Sequence, residues 1–402
     1  MAKRGCKDDA ALCEVTEISL TNEKTTKDIQ QMLKTNRFDT MLRRQIERTS
    51  ALGTAAAYIS MEGAEIYEDG MIKGGKPRIN YLYANQYIPL TVVNGEVIEA
   101  AFCGKEKKKD KSEYKLVIFV LDESGKYHGL TYIIDENGNE KESTDITLGE
   151  VKPFSILTTA EVNNIDDMGD GYGLPKIWDS IAIFEGIDLA YNILFSDLDK
   201  GEKIILINDL LCKYGPNGEV TQSIENKKLF VLVGEKLPDD KNMIHEYNPE
   251  LRIQSVRDIF EFLLSLVSMS FGFGSKKYTF ENSQIQTATE YIGAKQDQMQ
   301  DLNRQRYQLT EYIQGIIRAA EWFENQFNGA HYDLNEEITV DYDDSLVIDK
   351  ETILERKRND ALSFDIPKLT IWYLMDAYNL TEEEATAMYN ERDKPDEPDE
   401  DE

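Results

Sequence analysis

The feature that most constrains this sequence is a pair of apolar helical stretches separated by a short insert of different pattern. From Pro175 to about Lys200, Ile177, Ile181, Phe184, Ile187, Tyr191, Leu194, Phe195 and Leu198 recur at helical spacing, and Pro175 suits a first helical turn. A second apolar helix runs from about Ile253 to Phe271. Between them, Gly201–Glu250 reads as a compact β-rich module, with strands at Ile204–Ile207 and Leu229–Val233 and a turn at Gly215-Pro-Asn-Gly218. Two long helices with a small module at their tip predict a projecting hairpin rather than a globule. They carry more apolar surface than a simple hairpin can bury, so lateral neighbours are expected to cover it. Neither helix is expected to span a membrane, because no uninterrupted apolar run reaches ~18 residues and Ile259–Phe273 carries Glu261 and serines.

After the second helix, Ser270-Phe-Gly-Phe-Gly-Ser275 breaks the pattern and Lys276–Ser283 is a polar loop. The GFG run is no phosphate cradle, since it lacks the Gly spacing and the Lys-Ser/Thr that magnesium–nucleotide binding needs. The longest helix is expected from Thr287 to about Phe327, roughly 60 Å at 1.5 Å per residue. Its apolar positions Met299, Leu302, Leu309, Ile313, Ile316, Ala320, Phe323 and Phe327 alternate three and four apart, broken by Arg306. That seam fits an intermolecular helix interface and an intramolecular core stripe equally well.

Ahead of the hairpin, residues 1–25 are polar and read as a flexible N-terminus. Thr26–Leu52 carries one helical pattern through Ile29, Met32, Leu33, Phe38, Met41, Leu42 and Ile46, with Gly53 as its C-cap. Asn80–Pro89, Val92–Phe102, Tyr114–Leu121 and Gly129–Ile134 alternate as strands, with turns at Asn94-Gly95, Ser124-Gly125 and Asn137-Gly138. The charge run Glu106–Glu113 reads as a solvated loop tip. Asn163–Gly173 invites a calcium-loop reading, but its oxygen ligands do not alternate and the twelfth residue from Asp166 is Ile177, so a turn into a helix is expected. Towards the end, Glu337–Val347 alternates as a strand, Asp349–Ser363 is a charged helix, and Ile366–Tyr378 pairs with Thr381–Asn390. Thr381-Glu-Glu-Glu384 has the form of a capping box, and the acidic tail from Asp393 is expected to be disordered. The fold class expected is α+β.

Lys+Arg total 45 against Asp+Glu 75, a formal charge of −30, which opposes both a conventional DNA or RNA binder and docking on an anionic membrane. It does not exclude a protein that DNA passes without being held. Cys6, Cys13, Cys103 and Cys212 lack metal-ligand spacing and read as reduced intracellular thiols, and the N-terminus has no apolar core of signal-peptide length. His128, His245 and His331 are the only histidines, and no HExxH, GxSxG, CxxC or Walker pattern is present. Asp341-Tyr-Asp343-Asp344 is a carboxylate cluster of the kind that holds magnesium, but it has no basic or phosphate-cradling partner. No cofactor is expected, and a metal-dependent hydrolase is the remaining enzymatic alternative.

The order of these segments, with Gly171-Tyr-Gly-Leu-Pro175 before the first apolar helix and Thr287-Ala-Thr-Glu290 opening the longest one, resembles the tailed-bacteriophage portal proteins of phages of Gram-positive bacteria. The strand with Asp341-Tyr-Asp-Asp344-Ser345 and the late Thr381-Glu-Glu-Glu-Ala385 are similar to the same family, so the likeness covers about residues 26–390. The resemblance implies a wing at residues 26–174, a two-helix stem at 175–200 and 251–271, and a small α/β clip at 201–250. It further implies a tunnel loop at 272–286, a long wing helix and strand at 287–361, and a C-terminal helical crown at 362–392. Lys276, Lys277, Tyr278, Phe280 and Asn282 would then face the DNA channel, and Thr287, Ala288, Thr289 and Glu290 would be the long-helix motif. The implied assembly is a homo-oligomeric ring, a dodecamer, at one capsid vertex of the virion, built in the host cytoplasm. Its implied partners are the terminase large subunit, the head–tail adaptor, the major capsid and scaffolding proteins, and double-stranded DNA in transit, with no membrane and no enzymatic activity of its own. The alternative outside this reading is another structural virion or scaffold protein without a DNA channel.

Overall fold

The computed structural model describes residues 1–66, 72–108, 111–165, 170–201, 204–208, 216–217, 230–233, 244–274, 277–280, 288–343, 350–364, 366–378 and 380–391. The fold is mixed α+β, and the chain divides into two compact units.

The larger unit comprises Asp8–Glu47, Ala55–Leu157 and Leu302–Glu402. Its strands β6 (Tyr87–Val93), β7 (Glu96–Lys108), β8 (Lys111–Leu121), β9 (Tyr127–Ile134) and β10 (Glu140–Thr147) form an antiparallel meander in sequence order. Local turn chemistry dictates this. Asn94 and Gly95 both adopt positive φ, at 52° and 83°, as a two-residue hairpin turn demands. In the next two turns Asp122 and Asp135 each accept backbone hydrogen bonds, from Ser124 and Lys126 and from Asn137 and Asn139. A second sheet, in the order β11-β2-β5, joins β11 (Phe154–Thr158), β2 (Thr54–Glu62) and β5 (Lys76–Tyr83). Tyr58, Phe102, Phe119 and Phe154 make an aromatic core there, with contacting ring centroids 5.4–6.0 Å apart. Two short strands, β3 (Glu65–Ile66) and β4 (Ile72–Lys73), pair with each other.

Three sequence expectations change here. The charge run Glu106–Glu113, expected as a solvated loop tip, is mostly strand: β7 and β8 stay paired with Glu106 opposite Glu113 and Lys108 opposite Lys111, while residues 109–110 lie outside the described residues. The helix expected over Thr26–Leu52 is two helices, α2 (Glu23–Thr35) and α3 (Phe38–Leu52), because Arg37 takes φ 54°. There Asn36 leaves the helix to bond β5, donating to Pro77 O and accepting from Ile79 N, both at 3.0 Å. Residues 1–25 are folded, not flexible: α1 (Ala2–Leu12) leads to β1 (Val15–Leu20), which pairs antiparallel with β15 (Ile338–Tyr342). Cys6, Ala10 and Cys13 are buried at helical spacing, a stripe built of small side chains, and the partner of β1 lies more than three hundred residues away.

Helix α6 (Ala288–Asn328) buries Leu302, Leu309, Ile313, Ile316, Ala320 and Phe323, so from Leu302 onward its apolar seam is a core stripe within the chain. Arg306, which interrupts that seam, sits 4.8 Å from the Tyr342 ring centroid and donates to Asp343 O at 3.1 Å and to Leu12 O at 3.4 Å. It thereby ties α6 to the ends of α1 and β15. The C-terminal helices are α7 (Lys350–Phe364), α8 (Pro367–Tyr378) and α9 (Glu382–Glu391). Thr381 and Glu384 close the capping box reciprocally, at 2.9 and 3.4 Å. The tail from Asp393 lies outside the described residues.

The smaller unit comprises Met1–Lys7, Arg48–Thr54 and Thr158–Asp301. It holds α4 (Ile181–Lys200) and α5 (Ile253–Ser270), with β12 (Ile204–Asn208), β13 (Phe230–Val233) and β14 (Ile244–Tyr247) between them in sequence. β12 is central, parallel to β13 and antiparallel to β14. Helix α4 begins at Ile181, not at Pro175, since Trp178 N bonds Pro175 O and Ser180 N bonds Ile177 O in a 3-10 turn. The Gly171–Pro175 segment has its own steric reason. A Cβ on Gly173 would stand 2.3 Å from Gly53 O, and one on Gly53 would stand 2.0 Å from Gly173 O, so each glycine admits the other's backbone. Of the loop weighed for calcium, residues 166–169 lie outside the described residues, and Asn163 closes the rest by donating to Tyr172 O at 3.0 Å.

Candidate functional site

The surface that stands out is the hairpin of α4 and α5. Its register is pinned at both ends. At the base, Ser180 Oγ and Ser270 Oγ are 2.6 Å apart. At the end next to the insert, Arg252 donates to both carboxylate oxygens of Asp197, at 2.9 and 2.6 Å, and its guanidinium holds that carboxyl below its ordinary range. Midway, Gly186 lets Leu263 approach, with an ideal Cβ only 3.3 Å from Leu263 Cδ2.

Few side chains of this hairpin are buried: Ala190 on α4, and Val256, Leu264, Val267 and Ser268 on α5. Exposed instead are Phe262 at 63%, Leu189 at 62%, Met269 at 58% and Phe195 at 52%. Apart from Leu189, these residues belong to stripes. On α5, Ile259, Phe262, Leu266 and Met269 follow the three–four–three spacing of a helix seam. On α4, Tyr191, Phe195 and Leu198 follow four–three spacing, and the Tyr191 and Phe195 rings lie 4.5 Å apart. At about 100° per residue, the α4 stripe lies roughly 90° to one side of the face that α4 turns to α5. The α5 stripe lies roughly 120° to the opposite hand from its own packed face. The stripes therefore belong to opposite flanks of the hairpin. A third line on α4, Glu185, Asp188, Asn192 and Asp199, is exposed and points away from α5.

The segment after α5 turns back on the helix end. Gly272 and Gly274 take φ of 72° and 75°, Phe273 N bonds Ser268 O at 2.9 Å, and Tyr278 N bonds Ser268 Oγ at 3.1 Å. Phe271 and Phe273 are buried and stacked 5.8 Å apart, with Tyr278 edge-on to Phe273 at 6.0 Å. The Phe271 ring fits because residue 5 is glycine, where a Cβ would stand 2.5 Å from it. Lys277 is exposed, with Nζ 5.8 Å from the Phe273 ring centroid, and Phe280 is 61% exposed. Lys276, Asn282 and Thr287 lie outside the described residues, while Ala288, Thr289 and Glu290 open α6.

The remaining candidates are not gathered into one place. His128 on β9 stands between two carboxylates, with Nε2 3.3 Å from Asp122 and Nδ1 3.4 Å from Asp145. His245 is on β14 and His331 lies between α6 and β15. Asp343 donates its N–H to Glu14 O and accepts from Arg306 through its carbonyl, and Asp344 is outside the described residues. Among the described residues no group of three or more His, Cys, Asp or Glu is placed to hold a metal ion, and no helix is long and apolar enough to cross a membrane. Cys6 and Cys13 are buried and Cys103 is exposed, while Cys212 lies outside the described residues.

The Asp197–Arg252 pair was missed in the sequence, yet it leaves a signal there. An aspartate in the last turn of one helix and an arginine at the start of the next each oppose their own helix dipole. An antiparallel hairpin resolves both by pairing them. No protein-family model matches this chain, and no curated protein matches it.

Proposed function

We propose that this chain is a portal-type protein: a non-enzymatic subunit of a ring that conducts double-stranded DNA through one capsid vertex. In this reading α4 and α5 are the stem and β12–β14 the clip, docking first the packaging motor and then the head–tail adaptor. The segment after α5 is the tunnel loop, α6, β15 and α7 belong to the wing, and α8 and α9 form the crown. The observation that carries it is the pair of exposed apolar stripes on opposite flanks of one pinned hairpin. Two different sticky flanks favour heterologous, head-to-tail contacts, which close into rings when the rotation per subunit allows. The acid line on α4 adds support, because carboxylates along a channel repel a phosphate backbone and keep passage free of tight contacts. Negative-stain images and native mass spectrometry of the purified chain test this. Rings with a central hole are expected, and monomers or open filaments at micromolar concentration would overturn it.

A further inference from the structure

Helix α6 buries one carboxyl that has no role in the core packing. Glu321 is 1% exposed, and its Oε1 has no hydrogen-bond partner among the described residues. The groups facing it are mostly acidic. Glu336 and Asp333 stand on the connector between α6 and β15, and Arg318, on the same helix, is the one cation acting on it among the described residues. Beside it, Tyr332 feels Asp28 of α2 as well as Glu324 and Glu321 of α6. Burial first, then the charges of Glu336 and Asp333, push the Glu321 carboxyl up to about 7.

The connector also bonds the N-terminal segment. Glu336 accepts a hydrogen bond from Asn22 N, and Asn22 is the N-cap of α2. Tyr332 OH donates to Asp28 at 3.4 Å. On its other side the connector grips α6 reciprocally: Tyr332 N donates to Asn325 Oδ1 at 2.7 Å, and Asn325 Nδ2 donates to Tyr332 O at 2.9 Å. The strand that follows, β15, is the partner of β1.

We propose that Glu321 and the connector Gly329–Glu337 form a proton-sensitive latch, closed on the β1–α2 segment while the carboxyl is protonated and released when it ionises. Ionisation adds a third negative charge to those of Glu336 and Asp333, on a carboxyl that is itself buried and therefore less screened than a surface one. The connector is the movable side of the site, because α6 is fixed by its core stripe. Relief therefore comes from the connector swinging out, which breaks the Asn22 and Asp28 bonds with it.

Hydrogen–deuterium exchange of the full-length protein, corrected for the intrinsic pH dependence of amide exchange, reads the latch directly. Between pH 5 and pH 7, from near the ordinary glutamate value to that of the closed latch, exchange in the peptides covering 15–26 and 329–340 is expected to rise more than tenfold and to level off above pH 7, while α6 beyond the site is unchanged. Glu321→Gln removes this rise and keeps both peptides protected at pH 8. Glu336→Gln keeps an acceptor oxygen for Asn22 but removes a negative charge, so the transition moves to lower pH. A wild-type protein with no excess exchange, or the same rise in Glu321→Gln as in wild type, overturns the proposal. An unshifted transition in Glu336→Gln overturns it equally if Glu321→Gln fails to fold.

Discussion

Phe262→Asp tests the proposed ring at the most exposed apolar side chain of the α4–α5 hairpin. Phe262 is 63% exposed within the subunit, so about two-thirds of the ~2–3 kcal/mol for burying a phenylalanine remains to be gained in a neighbour. An aspartate there forfeits that, roughly 1.5–2 kcal/mol, and sets a carboxylate against an apolar seam at a further cost of several kcal/mol. Each subunit contact should weaken by about 4 kcal/mol or more, about a thousandfold. The subunit itself should change by under about 1 kcal/mol, because the site is mostly solvated before assembly. Sedimentation velocity and native mass spectrometry read the assembly, and urea unfolding reads the subunit. Phe195→Asp, on the other flank, should give the same monomeric product. The decisive result is the mixture: each variant keeps one intact flank, so together they make single contacts at most and no ring. Rings from either variant, or from the mixture, would refute head-to-tail pairing of these stripes.

His128 should titrate above the ordinary imidazole value of 6.5, because Asp145 and Asp122 accept from its two ring nitrogens, an arrangement that only the imidazolium fully satisfies. Its folded-state pKa is raised, so its stabilisation is complete below pH 6.5 and fades as pH rises through the folded value. Urea midpoints of wild type and His128→Gln should therefore converge from pH 6 to pH 8.5, and parallel curves would count against it. Tyr312→Phe is expected to raise stability by about 1 kcal/mol, since the fully buried hydroxyl has no partner among the described residues. A loss of similar size would show the hydroxyl to be bonded. Gly149→Ala should cost about 1–3 kcal/mol, as the new methyl would stand 2.6–2.8 Å from the Trp322 indole. Unchanged tryptophan fluorescence and stability would contradict that packing.

The hairpin was legible in the sequence because its evidence is local: apolar spacing, a proline before the first helix, and a turn-rich insert. The meander was legible for the same reason, with Asn94-Gly95 and the Asp122 and Asp135 turns writing its register into four-residue windows. What stayed hidden depends on distant partners. The β1–β15 pair joins residues from the two ends of the chain, and neither strand predicts the other. Cys6, Ala10 and Cys13 form a stripe of residues too small to register as a core face. Arg306 read as a flaw in a seam, and its role as a clasp needs Leu12 and Asp343 together. At the site, the excess of apolar surface was legible but not which side chains carry it, since that depends on which faces α4 and α5 spend on each other.

That exposure sets the terms on which a chain of charge −30 can associate with itself. At physiological salt the Debye length is about 8 Å, so the bulk charge of two subunits acts weakly across a contact that apolar side chains dominate at touching distance. Six half-exposed side chains, Tyr191, Phe195 and Leu198 against Ile259, Phe262 and Met269, return about 6–9 kcal/mol at ~1–1.5 kcal/mol each. Losing translational and rotational freedom costs roughly 4–15 kcal/mol, so one contact stands near break-even. A closing subunit makes two contacts for a single loss of freedom, so closure is favoured over extension. The carboxylates along α4 then confine association to the flanks, because a neighbour set against the acid line would bury unpaired charge. In the proposed ring the same helix would supply both the adhesive face and the repulsive one, leaving the repulsive one free to face the channel.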